Sequence, residues 1–278
     1  MELYKQHKDY IRVQAASLTV MMGWYPFYYA KLQKEVTAVT KNVSSYNYLK
    51  AGLKPGFFRS MIIPLAFQPV FPVVFGISNI IEKKLCMFPI VYSANTTFEE
   101  KLKIQHINSN IAYFSSKFIA GCATGPFANV LMTYQISAQN TGKLLPAIRT
   151  VGLDVYRGII PMTLRNGFFA LGIFGLYPFF EKTLNKTNIG EIPSALAAGI
   201  IPALVSSTLT MPFDNVATQR QSIGAKIAPN RSTFEVISNI IKLNGYRGLF
   251  IGGAMRFCST YIEIVAFNQV LKLYQQYL

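Results

Sequence analysis

The chain has 278 residues, of which 51% are hydrophobic and only 14% are charged, and its mean hydropathy is positive at +0.28. A soluble domain carries about 25% charged residues, so this composition excludes an ordinary soluble protein of this size. The net charge of +15 points first to anionic lipid head groups and second to an anionic ligand. Nucleic acid ranks third, because the basic residues are dispersed between apolar segments and form no compact stripe.

The sequence contains no pattern that is typical of an enzyme or a metal site. Its cysteines, Cys86, Cys122 and Cys258, have neither CxxC spacing nor a nearby histidine, which argues against zinc and against a disulfide framework. Paired carboxylates, a nucleophile with its base and a Gly-rich phosphate loop after a strand are also missing from the sequence. We therefore expect a protein that is not an enzyme and that holds no metal or cofactor other than lipid.

Three stretches of the chain share a pattern of small residues, a Pro and a half-polar helical segment. They are residues 22–35, 120–135 and 198–221, with Pro26, Pro126 and Pro212. A second landmark follows each of them, in the order GLKPG at 52–56, DVYRG at 154–158 and NGYRGLFIG at 244–252. A further long apolar segment follows each landmark, over 57–81, 159–180 and 253–274. We interpret this as three repeats, 1–100, 101–190 and 191–278.

Each long apolar segment exceeds the roughly 20 residues that span a bilayer as a helix. The sequence therefore predicts an all-α membrane protein with six transmembrane helices in three pseudo-threefold repeats, each with a short amphipathic helix in its loop. The prolines are expected to kink their helices, because proline removes a backbone hydrogen bond and clashes with the preceding turn.

The repeated pattern, Pro-x-acid-x-x-base followed by a Gly-rich aromatic stretch, resembles the signature of the mitochondrial carrier family. The resemblance covers nearly the whole chain and is strongest in the third repeat, at Pro212-Phe213-Asp214 and at residues 244–252. It implies a multi-pass protein of the mitochondrial inner membrane whose short amphipathic helices lie on the matrix side. The N-terminus matches neither a secretory signal nor a good transit peptide, because Glu2 and Asp9 interrupt it, so we expect an internal address.

In this family, an acid and a base from each repeat form a ring of ion pairs that closes the matrix side. Here the acid positions hold Tyr28, Ala128 and Asp214, and the base positions hold Lys31, Leu131 and Ala217. The resemblance implies that Lys31 and Asp214 face each other as one retained gate pair; the alternative is two separately solvated charges. Gln135 and Gln221 stand where family members often have a glutamine that bridges an ion pair.

The family's gate on the opposite side is formed by an aromatic-acid-x-x-base pattern on the even-numbered helices. The corresponding stretches are residues 78–82, 177–181 and 267–271. None of them holds an acid and a base in the required order, since Glu82 and Glu181 stand at base positions. We therefore expect that an ionic gate of the family's kind does not form there.

The family contacts its substrate on the even-numbered helices, near mid-membrane. The corresponding positions are Ala66-Phe67, Arg165-Asn166 and Met255-Arg256. Arg165 and Arg256 are isolated cations within apolar spans, which is a functional signal by default, and arginine binds carboxylate or phosphate through its planar fork. The alternative is that both arginines reach toward lipid head groups or bond neighbouring carbonyls.

The second landmarks resemble the family's cardiolipin sites, where helix N-termini bind phosphate. They comprise Tyr156, Arg157 and Gly158 before one span and Phe250, Ile251 and Gly252 before another. Helix N-termini favour anions through their free N–H groups and the helix dipole. The alternative is that glycine only permits the turn.

Two functions remain open from the sequence. The first is a carrier that transports or exchanges a small anionic metabolite, a carboxylate, keto acid or nucleotide, by alternating access. The second is a non-transporting carrier-fold subunit of a large inner-membrane complex such as a respiratory assembly. The loss of charge at most gate positions and the 21 Phe and 16 Tyr residues motivate the second hypothesis.

Overall fold

The computed structural model describes residues 98–141, 156–187, 189–221 and 232–277, together with five residues between 12 and 20. These residues are helical throughout, apart from short turns, and contain no strand. The α-helices are α1 (Phe98–Thr141), α2 (Ile159–Ala170), α3 (Tyr177–Leu184), α4 (Glu191–Gln221), α5 (Thr233–Asn244) and α6 (Gly253–Tyr277). A π-helical segment, Leu171–Leu176, joins α2 to α3, and 3₁₀ turns occupy Asn185–Thr187 and Tyr246–Phe250.

Three helical stretches of the described chain are long and apolar enough to cross a membrane. They are Ile159–Thr187, Glu191–Gln221 and Tyr246–Tyr274. The all-helical architecture thus agrees with the sequence. The count of six spans and the threefold repeat stay predictions, because most of residues 1–97 lie outside the described part of the chain.

Residues 191–277 follow the order expected of one repeat, a long helix, a short helix and a second long helix. The short helix α5 begins with a capping box, in which Ser232 and Glu235 each bond the other's backbone N–H. It ends at Gly245, whose φ of 65° suits a residue without a side chain. The first and last helical parts of the chain also meet, since the hydroxyl oxygens of Thr19 and Tyr274 lie 3.3 Å apart.

Glycines allow α1 and α2 to pack with their backbones in close contact. A Cβ atom at Gly121 would lie 2.4 Å from the carbonyl oxygen of Asn166, and one at Gly125 would lie 2.3 Å from Cα of Thr163. Small residues permit such backbone contact between helices in membranes. Two of the predicted kink prolines, Pro126 and Pro212, lie inside α1 and α4. Pro26 lies outside the described residues, and the bends themselves stay predictions.

The π-helical segment interrupts the regular hydrogen-bond ladder of the span over residues 159–187. Hydroxyl groups of neighbouring helices bond to carbonyls in this segment and just before it. Tyr113 Oη of α1 donates to Phe174 O at 3.0 Å, and Ser206 Oγ of α4 donates to Phe168 O, in the last turn of α2, at 3.5 Å. π-Segments leave backbone groups that need such partners and often occur near functional sites. The segment separates two polar clusters, one at Arg165 on α2 and one at Tyr177 and Glu181 on α3.

Candidate functional site

The central feature is a buried cluster in which two arginines from different helices approach one carboxylate. Arg165 Nε of α2 lies 2.6 Å from Asp214 Oδ1 of α4, and Arg256 Nε of α6 lies 3.3 Å from Asp214 Oδ2. The exposed fractions of the three side chains are 12% for Arg165, 2% for Arg256 and 0% for Asp214. The carboxylate therefore links three helices, and it partly compensates two cations that would be costly to bury alone.

An aromatic ring and an amide hold the arginines in place. The guanidinium carbons of Arg165 and Arg256 lie 5.9 Å and 5.6 Å from the ring centroid of Phe169, so both cations share one ring. Arg165 Nη1 donates to Asn166 Oδ1 at 3.0 Å, and Asn166 Nδ2 lies 3.5 Å from Thr124 Oγ1 of α1. The cluster is thus tied to α1 as well.

The structure brings together residues that the sequence assigned to two different sites. Arg165, Asn166 and Arg256 were expected to bind substrate, whereas Asp214 was expected to form a gate with Lys31. Both arginines contact Asp214, and their predicted role in binding substrate stays a prediction. Lys31 lies outside the described residues, as do Ala66 and Phe67, so the Lys31–Asp214 gate and the first substrate position stay predictions.

A neutral hydrogen bond also connects α1 and α4. Gln221 Nε2 donates to Asn129 Oδ1 at 2.6 Å, and both side chains are fully buried. In the second repeat, where Ala128 and Leu131 replace the family's acid and base, this amide pair provides a link without charge. Gln135 lies within α1, but its side chain lies outside the described residues.

The residues predicted to bind lipid lie directly before α2 and α6. Gly158 and Gly252 have φ values of 82° and 90°, and their carbonyls accept the first helical hydrogen bonds, from Met162 N and Arg256 N. The preceding Tyr156 and Phe250 are exposed, whereas Arg157 is half-buried. Asn215 Nδ2 of α4 donates to Leu249 O at 2.7 Å and lies 3.3 Å from Ile251 O, which fixes the start of α6. Both helix N-termini have the form that anion binding requires, and lipid binding stays a prediction.

A second polar cluster links α3 and α6 beyond the π-segment. Lys272 Nζ lies 2.8 Å from Glu181 Oε1, which also accepts hydrogen bonds from Tyr177 Oη at 2.9 Å and Gln269 Nε2 at 3.2 Å. Gln269 Nε2 also donates to Tyr177 Oη at 2.8 Å. Glu181 stands at a base position of the family pattern, so this is not the family's acid–base pair. An ion pair nevertheless forms, because Glu181 at a base position pairs with Lys272, one residue past the compared stretch.

We expect the Glu181–Lys272 pair to stabilise the contact between α3 and α6 modestly. Lys272 is a third exposed, so a coupling energy of about 1 kcal/mol is expected. Unfolding of Glu181→Gln, Lys272→Met and the double variant in detergent would measure it. The neighbouring Lys182, which is exposed, provides the matched control: Lys182→Met should change stability by less than about 0.5 kcal/mol. Additive single effects would contradict the coupling.

Sequence reasoning missed several residues of these clusters. Phe169 follows Arg165 by one helical turn, so its position on the same face was a usable signal. Asn129 lies next to the acid position of the second repeat, where only a charged residue was sought. Lys272 lay just outside the stretch compared with the family pattern. Its pairing with Glu181 depends on the packing of α3 against α6, which no local pattern reveals.

These observations define a helical membrane protein whose packed spans enclose a buried arginine–aspartate cluster. The family described as mitochondrial carrier protein matches residues 190–278. Among curated proteins, the mitochondrial glycine transporter of Rattus norvegicus is 25% identical over 183 residues, which are 61% of this chain and 54% of that protein. The C-terminal third of the chain thus matches the mitochondrial carrier family, and the chain as a whole is similar to divergent members of that family.

Two further relatives match shorter parts of the chain. Mitochondrial tricarboxylate transporter 1 of Mycosarcoma maydis is 27% identical over 135 residues, 46% of this chain and 43% of that protein. The mitochondrial glutathione transporter of Rattus norvegicus is 37% identical over 109 residues, 36% of this chain and 30% of that protein. The chain thus spans about half or less of the length of these curated relatives. Together with the candidate spans, the matches support a mitochondrial membrane protein.

Proposed function

We propose that the chain is a transporter that moves a small carboxylate-bearing anion across the mitochondrial inner membrane by alternating access. The observation that carries this proposal is the approach of Arg165 and Arg256 to one carboxylate, Asp214, between apolar spans. Buried intramembrane cations usually mark a solute pathway. Two guanidinium groups on different helices can bind a solute and also respond to movement between those helices.

Carboxylate is favoured over phosphate as the recognised group. Both arginines already contact a carboxylate, that of Asp214, and this contact supports the choice of a carboxylate as the recognised group. Glycine, tricarboxylates and glutathione, the solutes named for the three relatives, each contain at least one carboxylate. A nucleotide is the second candidate solute and is tested beside them.

Two clusters at different depths suit alternating access. Glu181 follows Arg165 by 16 residues along one helical run, which corresponds to roughly 24 Å along the axis. The Asp214 cluster joins α2, α4 and α6 at one level, and the Glu181–Lys272 pair joins α3 and α6 at the other. Opening one level while the other stays closed would expose the arginines to one side of the membrane at a time.

Exchange in proteoliposomes tests the proposal. Purified protein in cardiolipin-containing liposomes should exchange at least one of labelled citrate, glutathione or glycine against the same internal solute, whereas exchange of ATP alone would favour the nucleotide. Arg165→Ala should lower the initial rate at least about tenfold, because a charge-assisted hydrogen bond contributes roughly 1.5–3 kcal/mol. Lys182→Ala, which removes an exposed cation from α3, should leave the rate unchanged.

A folded protein that exchanges none of these solutes would contradict the proposal. If the native protein then migrated entirely with a large inner-membrane assembly, the structural-subunit hypothesis would account for it. If Arg165→Ala exchanged solute at the same rate as the unmodified protein, the chain would still be a transporter, but Arg165 would not be part of its solute site.

A further inference from the structure

The Asp214 carboxylate lies where a bound solute carboxylate is expected. Arg165 and Arg256 were expected from the sequence to hold the solute, and in the structure the side chain of Asp214 lies between their Nε atoms, at 2.6 Å and 3.3 Å. We propose that Asp214 is an internal substitute for the solute, and that the solute's carboxylate displaces it from the arginines. This inference rests on the proposed transport function.

The hydrogen bonding of Arg256 supports displacement. Its side chain is 2% exposed, yet within the described chain its Nε and Nη2 atoms make no hydrogen bond. Asp214 therefore compensates the charge of Arg256 without filling its hydrogen-bonding fork. A mobile carboxylate can orient both oxygens toward such a fork, and bidentate pairs of this kind are shorter and stronger than a single ionic contact. A solute is therefore a better ligand for Arg256 than Asp214 is.

A second buried polar atom lies one turn further along α6. Thr260 follows Arg256 by four residues and so shares its helix face, and its Oγ1 is buried with no hydrogen bond to the described residues. Buried polar groups without partners destabilise the arrangement that contains them. A solute with a carboxylate and an adjacent polar group would satisfy both Arg256 and Thr260, which favours the displaced state.

Displacement would connect solute binding to the contact between α2, α4 and α6, which the Asp214 carboxylate joins. Solute binding would release the Asp214 carboxylate, whereas the solute-free protein keeps it on Arg165 and Arg256. The contact of Asp214 with the two arginines is therefore autoinhibitory, and only an anion with higher affinity for the arginines can break it.

Rescue of Asp214→Ala by acetate tests the inference directly. Alanine leaves a space between the arginines that a free carboxylate can occupy. In detergent, sodium acetate should raise the Tm of Asp214→Ala by roughly 3 °C or more above sodium chloride at equal ionic strength. The acetate-specific shift should be smaller in the unmodified protein, where Asp214 competes. It should be lost in the double variant Asp214→Ala, Arg256→Met.

The controls separate this inference from the proposed function. Glu191→Ala, which removes an exposed acid from the first turn of α4, should show no acetate-specific shift. If acetate and chloride changed the Tm of Asp214→Ala equally, the inference would be overturned, whatever the exchange assay shows. If the unmodified protein exchanged no solute but acetate still stabilised Asp214→Ala, only the proposed transport function would be overturned.

If Asp214→Ala does not fold, Asp214→Asn provides the test. Its half-saturating citrate concentration in a thermal-shift titration should be about tenfold lower than that of the unmodified protein, and an unchanged value would overturn the inference.

Discussion

Replacing Asp214 with asparagine is expected to lower the free energy of unfolding by about 3–5 kcal/mol. Asparagine has nearly the same shape but carries no charge, so Arg165 and Arg256 would remain buried beside each other without the carboxylate that compensates them. Unfolding of the detergent-purified protein by denaturant would measure the change. The same variant should be most destabilised in low salt, where anions that could replace the carboxylate are scarce.

The effect should differ sharply from that of removing one cation. Arg256→Met fills a similar volume and leaves Asp214 in contact with Arg165, so its cost should be less than about half that of Asp214→Asn. Glu191→Gln removes a charge of the same sign from an exposed position on the same helix and should cost less than about 1 kcal/mol. If all three variants lost similar stability, the carboxylate would not be the element that balances the cluster.

Leucine at position 121 is expected to destabilise the protein by about 3 kcal/mol or more. The Cβ atom alone would lie 2.4 Å from the carbonyl oxygen of Asn166, 2.6 Å from Cβ of Ala170 and 2.9 Å from Cα of Gly167. Two of these contacts are with backbone, which cannot move by rotating a side chain, so α1 and α2 would have to separate. Because Asn166 accepts a bond from Arg165, that separation should also lower exchange activity.

Ala123 provides the matched control for this prediction. It lies two residues from Gly121 on the same helix, but it is exposed, so its side chain points away from α2. Ala123→Leu should therefore change stability by less than about 0.5 kcal/mol. Tm values of both variants in detergent would compare them, and a tolerated Gly121→Leu would show that the two helices do not need close backbone contact.

The helical class and the family could be predicted from the sequence because both depend on local or periodic features. The apolar segments at 159–180 and 253–274 fall within described candidate spans, and residues 190–278 match the family. The site was predicted only in part. Arg165 and Arg256 could be identified because a charged residue within an apolar segment is visible in the sequence. Their shared contact with Asp214 was not predicted.

The reason for that difference is the distance in sequence between the partners. Asp214 follows Arg165 by 49 residues and precedes Arg256 by 42. The family pattern predicted that Asp214 pairs with Lys31. No local feature indicated that α2, α4 and α6 would place their polar groups at the same depth. Glu181 and Lys272 are a second example. Neither residue stands at the position that the family's gate pattern requires, yet the packing of α3 against α6 brings them within 2.8 Å.

The sequence by itself determined that this chain is helical, apolar enough for a membrane and related to mitochondrial carriers, because hydropathy and motif spacing are properties of contiguous residues. Only the tertiary structure decided which charges compensate one another. In an apolar interior, a cation needs a counter-charge within a few ångströms, and helix packing determines which acid lies that close. Here packing places Asp214 on both arginines, and that contact links the candidate solute site to the candidate gate.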